Sequence, residues 1–371
     1  MKIEESKLKK DIRELLENLC SIIAPSGREH EVRKRVIELL KPVADSIWID
    51  ALGNVIAMKK GRKDGRKIML AAHMDEIGFF VSHIDDKGFL RILPIGGIHE
   101  RTIVYQRVLI KTRDGKIYRG VIGLKPPHIA KPEEARQIPE LKELFVDVGA
   151  KSREDVNKMG VRVGDIVVFD REIVDLGNDR ITGKSLDDRV GLAILIKVFE
   201  LIENNEVDVY AVATVQEEVG LKGARTAAFS ISPHVALALD VTIASDVPGV
   251  AEHEWVTQLG KGPAIKIADG RNAMGLIGHP EVVNKLIEIA EEMKIPYQIS
   301  IAPGGTTDAS IIALNKEGVP AAVVAVPSRY IHSPIEVVDL NDVVNTIKLV
   351  KGFIEDISIE WIDKIRGFKI K

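Results

Sequence analysis

The stretch Ile68 to Phe80, IMLAAHMDEIGFF, constrains this chain more than any other. Its apolar run Ile68-Met69-Leu70-Ala71-Ala72 reads as a buried strand, and in an extended chain residues two apart share a face. His73 and Asp75 are therefore delivered together from a strand end into one site. An imidazole able to ligate a metal, with a carboxylate close enough to fix its ring, is a pairing that metal centres use repeatedly. A His-x-Asp also arises by chance, so the rest of the sequence has to supply the remaining ligands.

Around this strand the pattern is α/β. Lys7 to Leu19 has the spacing of an amphipathic helix, broken by Ala24-Pro25-Ser26-Gly27. Ser26 or Gly27 can cap a second helix, Glu29 to Leu40, and Ser46 to Asp50 and Asn54 to Lys59 read as paired strands about Leu52-Gly53. After Gly78 the texture changes. Short strands flank Asp85-Asp86-Lys87-Gly88 and Arg113-Asp114-Gly115-Lys116, a proline-bearing loop spans Lys125 to Pro139, and Ser152-Arg153-Glu154-Asp155 resembles a capping box. The expectation is a small β-rich domain, residues 77–174, inserted into a catalytic domain made of 1–76 and 175–371.

The α/β alternation then resumes. Helices are expected at Val190 to Ile202, Gly223 to Phe229, Pro280 to Met293, Asp308 to Asn315 and Leu340 to Ile357, and strands at Val207 to Val215, His234 to Leu239, Tyr297 to Ile301 and Ala321 to Val326. The fold class that follows is α/β: a mixed, mostly parallel sheet sandwiched by helices.

Composition excludes several functions. The net charge of −3 over 371 residues gives no electrostatic reason to expect nucleic acid or an anionic membrane as partner. No run reaches the length of a membrane span, and the charged start MKIEESKLKKDIRELLENL is unlike a signal peptide, so a cytoplasmic location is expected. Cys20 is the single cysteine, which rules out an internal disulfide and a thiolate cluster. Any metal must then be held by nitrogen and oxygen. Abundant Lys, Glu and Ile with few Gln fit a heat-adapted protein.

The ionisable residues fall where such a sheet gathers its ligands. His73, Glu217, Glu218 and Asp240 directly follow apolar strands, His332 lies a few residues beyond one, and Asp187 opens a helix. The carboxyl ends of strands line the crevice of an open α/β sheet. Histidines and carboxylates together suit a pair of divalent ions with one carboxylate bridging, and zinc, cobalt and manganese all fit. Of Glu217 and Glu218, one can bind metal while the other faces the water between the ions as general base. Each residue also has a plainer reading: a solvated Glu-Glu strand end, helix-opening acids at Asp187 and Asp188, a turn residue at Asp240, a loop histidine at His332. Those readings do not explain why all of them occur at strand ends. Gly304-Gly305-Thr306-Thr307-Asp308 reads as a turn placing Thr306 and Asp308 near the site.

Taken in order, His73-x-Asp75, Leu186-Asp187-Asp188-Arg189, Gln216-Glu217-Glu218-Val219-Gly220, Asp240-Val241-Thr242, Gly305-Thr306-Thr307-Asp308-Ala309 and His332-Ser333-Pro334 resemble the dinuclear metalloaminopeptidases that include the archaeal tetrahedral (TET), deblocking and glutamyl aminopeptidases. Some members have carried cellulase or endoglucanase labels, which the absence of a glycosidase acid pair argues against. The resemblance implies that His73 and Asp240 bind one metal, Glu218 and His332 the other, and Asp187 bridges both. It implies Glu217 as general base, Asp75 as the group orienting His73, and two divalent ions per subunit, zinc or cobalt with manganese a further candidate. It further implies peptide substrates cleaved at the N-terminus and a homo-oligomer, a tetrahedral dodecamer built from six dimers and assembled through residues 77–174.

Two competing readings remain. A two-metal N-acyl amino acid deacylase or carboxypeptidase-type hydrolase would need a cation for the substrate carboxylate, with Arg225, Arg271 and Arg329 as candidates. A non-enzymatic shell protein would keep the fold alone. Trp255 and Met274 are candidates to line the specificity pocket.

Overall fold

The computed structural model describes residues 5–129, 131 and 137–367, and its strands fall into two sheets. The chain lays down β1 (Ser46–Ile49), β2 (Val55–Lys59) and β3 (Lys67–His73) in the larger sheet. It leaves for β4 (Gly78–Ile84), β5 (Leu90–Ile95), β6 (Arg107–Lys111), β7 (Ile117–Gly123), β8 (Phe145–Asp147) and β9 (Ile166–Phe169). It returns with β10 (Val174–Gly177), β11 (Arg180–Gly183), β12 (Asp208–Thr214), β13 (Val235–Ile243), β14 (Ala264–Ala268), β15 (Gln298–Ile301), β16 (Ala321–Arg329) and β17 (Glu336–Asp339). The large sheet runs β1-β2-β12-β3-β13-β16-β17-β11-β10, with β14 branching from β16 and β15 from β14. Its centre, β12-β3-β13-β16, is parallel, and antiparallel strands flank it. This is the mixed α/β class expected.

Strand alternation makes the two faces unequal. β3 sends Ile68, Leu70 and Ala72 to one side and Met69 and Ala71 to the other, while β13 divides Val235, Leu237 and Leu239 from Ala236 and Ala238. The bulkier side is covered by helices Glu5–Ser21, Leu186–Leu201, Pro280–Glu292 and Leu340–Asp356. Phe199 and Phe353 are completely buried there, and each such ring stabilises the fold by about 1.5–3 kcal/mol. The alanine side takes two shorter helices, Lys222–Ile231 and Asp308–Ala313, which approach closely through Ala224, Ala227, Ala228 and Ala309. His73 shares the parity of Met69 and Ala71, and Asp240 that of Ala236 and Ala238. Both therefore emerge on the alanine side, beside the loops that enter those helices.

The smaller sheet closes as an antiparallel barrel, β4-β5-β8-β7-β6-β9, around Phe79, Val81, Leu90, Ile92, Val108, Ile110, Val146 and Phe169. Closure through the Phe79–Val167 and Phe80–Ile166 pairs removes the free edges that would otherwise invite association. The turns at Asp85–Gly88 and Arg113–Lys116 join the expected hairpins, and Ser152 caps helix Arg153–Met159 by accepting from Asp155 N–H. Gly78 begins the barrel where a Cβ would lie 2.8 Å from the Val167 carbonyl oxygen, so a side chain there has no room. The expected loop from Lys125 to Pro139 lies partly outside the described residues. No helix among those described is long and apolar enough to cross a membrane.

Some local expectations differ from the structure. Asp240 lies inside β13 rather than at its end, because the strand continues to Ile243 beside β16. The second helix starts at His30 with Glu29 at its N-cap, and Ser26 bonds elsewhere. The short strands β10, β11, β14 and β17 lie outside the expected strands.

Candidate active site

Six chemistry-bearing side chains reach the same cavity from five places in the chain. Its volume is about 600 Å³, and His73, Asp187, Glu217, Glu218, Asp240 and His332 all line it. His73 ends β3, and Asp240 sits at the matching height on neighbouring β13, each two residues beyond the paired Ala71 and Ala238. Glu217 and Glu218 follow β12 after Gln216 turns the chain with a positive φ of 56°. His332 follows β16, itself at φ 59°.

Asp187 and Asp188 are not ordinary helix-opening acids. Both have non-helical dihedrals, and both are buried. Asp188 turns inward, accepting from the backbone N–H of His73 at 3.2 Å and of Gly191 at 2.9 Å. Asp187 faces the cavity and sits between the imidazoles: its Oδ1 is 3.2 Å from His73 Nε2 and its Oδ2 3.3 Å from His332 Nε2. Glu218 Oε2 lies 3.4 Å from His332 Nε2, and Glu217 Oε2 3.9 Å from His73 Nε2. Two ligand groupings emerge, His73 with Asp187 and Glu218, and His73 with Glu217 and Asp240, the atoms of each within 4.8 Å of one another.

Asp75 holds this arrangement from behind. It is completely buried, its backbone carbonyl 3.1 Å and its Oδ1 3.5 Å from His73 Nδ1. Ser26 Oγ donates to Oδ2 at 2.6 Å, while the backbone N–H groups of Glu217 and Glu218 donate to Oδ1 and Oδ2 at 3.0 and 3.1 Å.

So many buried acids perturb one another. Burial, reinforced by the neighbouring Asp187, pushes Glu218 up to about 8 and Asp240 up to about 7. Burial also holds Glu217 well above the usual carboxylate range, against the pull of His73. For His332, burial is outweighed by Asp187 and Glu218, which raise the ring to about 10. His73 is likewise raised, its bonds to Asp187 and Asp75 outweighing burial. The charge pattern suits divalent cations: the four carboxylates Asp187, Glu217, Glu218 and Asp240 surround two imidazoles, and Glu218 Oε1 is buried without a hydrogen-bond partner among the described residues.

Several site residues were not singled out from the sequence. Glu336 accepts from the backbone N–H of Asp187 at 2.9 Å and of His332 at 3.1 Å. Glu76 takes the Lys184 ammonium at 2.7 Å, tying the segment after His73 to the segment before Asp187. Lys266 lines the cavity, 3.9 Å from Asp269. The available signal was a charged residue within an apolar run, as in Ile335-Glu336-Val337-Val338. Thr306 lines the cavity as expected and donates to Asp269 at 2.9 Å; Asp308 lies behind it, accepting from Thr214 Oγ1 at 2.6 Å.

Other candidates stand apart. Trp255 and Met274 are not among the lining residues, and Met274 is 83% exposed. Arg329 is paired with Asp246 at 2.7 Å, and Arg225 and Arg271 are exposed outside the cavity.

Comparison with known proteins points to aminopeptidases. The chain is 40% identical over 348 residues to the lysyl aminopeptidase of Pyrococcus furiosus, covering 93% of this chain and 97% of that one. Its fold matches the solved aminopeptidase APDkam598 of the archaeon Desulfurococcus kamchatkensis at a TM-score of 0.95, with 61% identity, over 98% of this chain and 100% of that one. It matches the Pyrococcus horikoshii TET1 peptidase, which can assemble into a tetrahedron or a large octahedral shell, at 0.82 and 33%, over 93% and 100%. The family model described as M42 glutamyl aminopeptidase matches residues 53–349, and the chain belongs to that family of peptide hydrolases.

Proposed function

We propose that this protein is a two-cation aminopeptidase that removes residues from the N-termini of peptides. The observation that carries this reading is the position of Asp187, 3.2 Å from one imidazole and 3.3 Å from the other within a single cavity. His73 and Asp240 would hold one ion, Glu218 and His332 the other, and Asp187 would bridge them. Zinc or cobalt, with manganese a further candidate, would suit this nitrogen and oxygen set. Bound there, the ions would polarise the scissile carbonyl and acidify the attacking water.

The chain's own residues do the rest. Glu217, held high by burial, takes the proton at its carboxylate and delivers it to the departing amine. Asp75 orients the His73 ring and fixes the backbone of Glu217. The surrounding acids hold the substrate's free α-amino group, which restricts cleavage to the first residue. The relatives' shells support a homo-oligomer here as well, a tetrahedral dodecamer built from six dimers with residues 77–174 as the assembly domain.

Lys266 supports a second reading, in which a cation in the cavity holds a substrate carboxylate as in a deacylase or carboxypeptidase. The test is to strip the protein with a chelator, restore zinc, cobalt or manganese, and compare aminoacyl p-nitroanilides with N-acetylated and C-terminal substrates. Metal-restored cleavage of free-amino substrates is expected. Hydrolysis indifferent to chelation, or confined to blocked substrates, overturns the proposal.

A further inference from the structure

Glu336 is a buried carboxylate, 2% exposed, with no lysine, arginine or histidine within ion-pair distance among the described residues. A buried carboxylate needs strong partners to remain in a fold, and this one has two backbone N–H groups. Its Oε2 accepts from Asp187 at 2.9 Å and its Oε1 from His332 at 3.1 Å. Position follows from pairing: Glu336 opens β17 opposite Gly183, the last residue of β11, just before the chain turns through Ser185 to Asp187.

Both segments it holds carry backbone strain. Ser185 has φ 54° and His332 φ 59°, left-handed conformations that L side chains disfavour. Such strain persists only where surrounding contacts over-determine it. For His332 the contact is made to its own N–H. We propose that Glu336 is a positioning residue that sets the span between Asp187 and His332, and so forms the seat of the second cation. The inference rests on the two-cation reading above. Of the groups at the first seat only the shared Asp187 receives a bond from Glu336, whereas the second seat is held at both Asp187 and His332, so the second seat depends on it more.

The test is metal uptake by the chelator-stripped protein, titrated with zinc against a competing indicator, with apo-protein melting followed in parallel. Glu336→Gln can accept from one of the two N–H groups but presents an NH2 to the other. Wild type is expected to take two ions per chain. E336Q is expected to bind the second about 10–100-fold more weakly and to weaken the first, which shares only Asp187 with it, to a smaller extent. E336D, which keeps the charge but withdraws both oxygens, should show the same selective loss and serves if E336Q does not fold. Val337→Ala, on the other face of the strand, should lower the melting temperature without changing either affinity.

Unchanged second-ion binding in a folded E336Q or E336D overturns the role of Glu336, as does equal weakening of both ions. A wild-type protein that takes up only one ion overturns the two-cation reading and this role with it.

Discussion

The backbone N–H of Glu217 donates to Asp75 Oδ1 at 3.0 Å, so the carboxylate beside His73 also fixes where Glu217 begins. Its other oxygen takes Glu218 N–H and the Ser26 hydroxyl. Asp75→Asn must present an NH2 to one of these donors. It is expected to lower kcat by about 10–100-fold with little change in KM, measured on an aminoacyl p-nitroanilide. An unchanged kcat would remove Asp75 from the positioning role.

Glu217→Gln keeps the shape and removes the base. Turnover should fall by about 10²–10⁴-fold, while the protein still takes up metal from a titrated solution. Near-normal turnover in this variant would show that Glu217 does not carry the proton.

Gly97, just beyond β5 of the barrel, lies against the His332 ring, which must shift to admit a side chain there. An added Cβ would sit 3.0 Å from His332 Nδ1. Gly97→Ala is expected to displace the ring and weaken activity about 10-fold or more, whereas Gly115→Ala, whose Cβ would meet nothing within 4 Å but would sit at a strained φ of +85°, should lower stability and leave activity unchanged. Assays of the two variants side by side decide whether the barrel supports the site sterically.

His234 gives stability a pH dependence away from the site. Burial lowers the ring from 6.5 to about 4, helped by Arg366, Arg66 and Lys67, while its Nδ1 accepts from Lys67 N–H at 3.1 Å. Between those values the unfolded chain binds more protons than the folded one, so this contribution is fully present above 6.5 and is lost as pH falls through about 4. Denaturant unfolding of His234→Asn should show a flatter fall in stability over that window than wild type; parallel curves would refute it.

Cys20 is buried, and burial pushes its thiol up to about 11. A disulfide reagent such as Ellman's should leave the native protein unmodified and titrate one thiol per chain after unfolding. Rapid reaction of the native protein would contradict the packing of helix Glu5–Ser21 on the sheet.

The sequence by itself determined the α/β class and the barrel's hairpins, and it nominated the two histidines and four carboxylates that line the cavity. It could do so because strand periodicity, turn chemistry and side-chain type are local properties. His73, Glu217 and Glu218 stand at or just past strand ends, where apolar runs break into ionisable residues. What only the tertiary structure decided was which atoms meet. Ser26 finds Asp75 across 49 positions, and Asp187 finds Glu336 across 149, and no periodicity encodes either pair. The unequal faces of the sheet, the inward turn of Asp188 beside the outward Asp187, and the glycine contact from the barrel to His332 are likewise set by packing. Hydrogen bonds between distant segments form only when the fold has brought their donors and acceptors within about 3 Å.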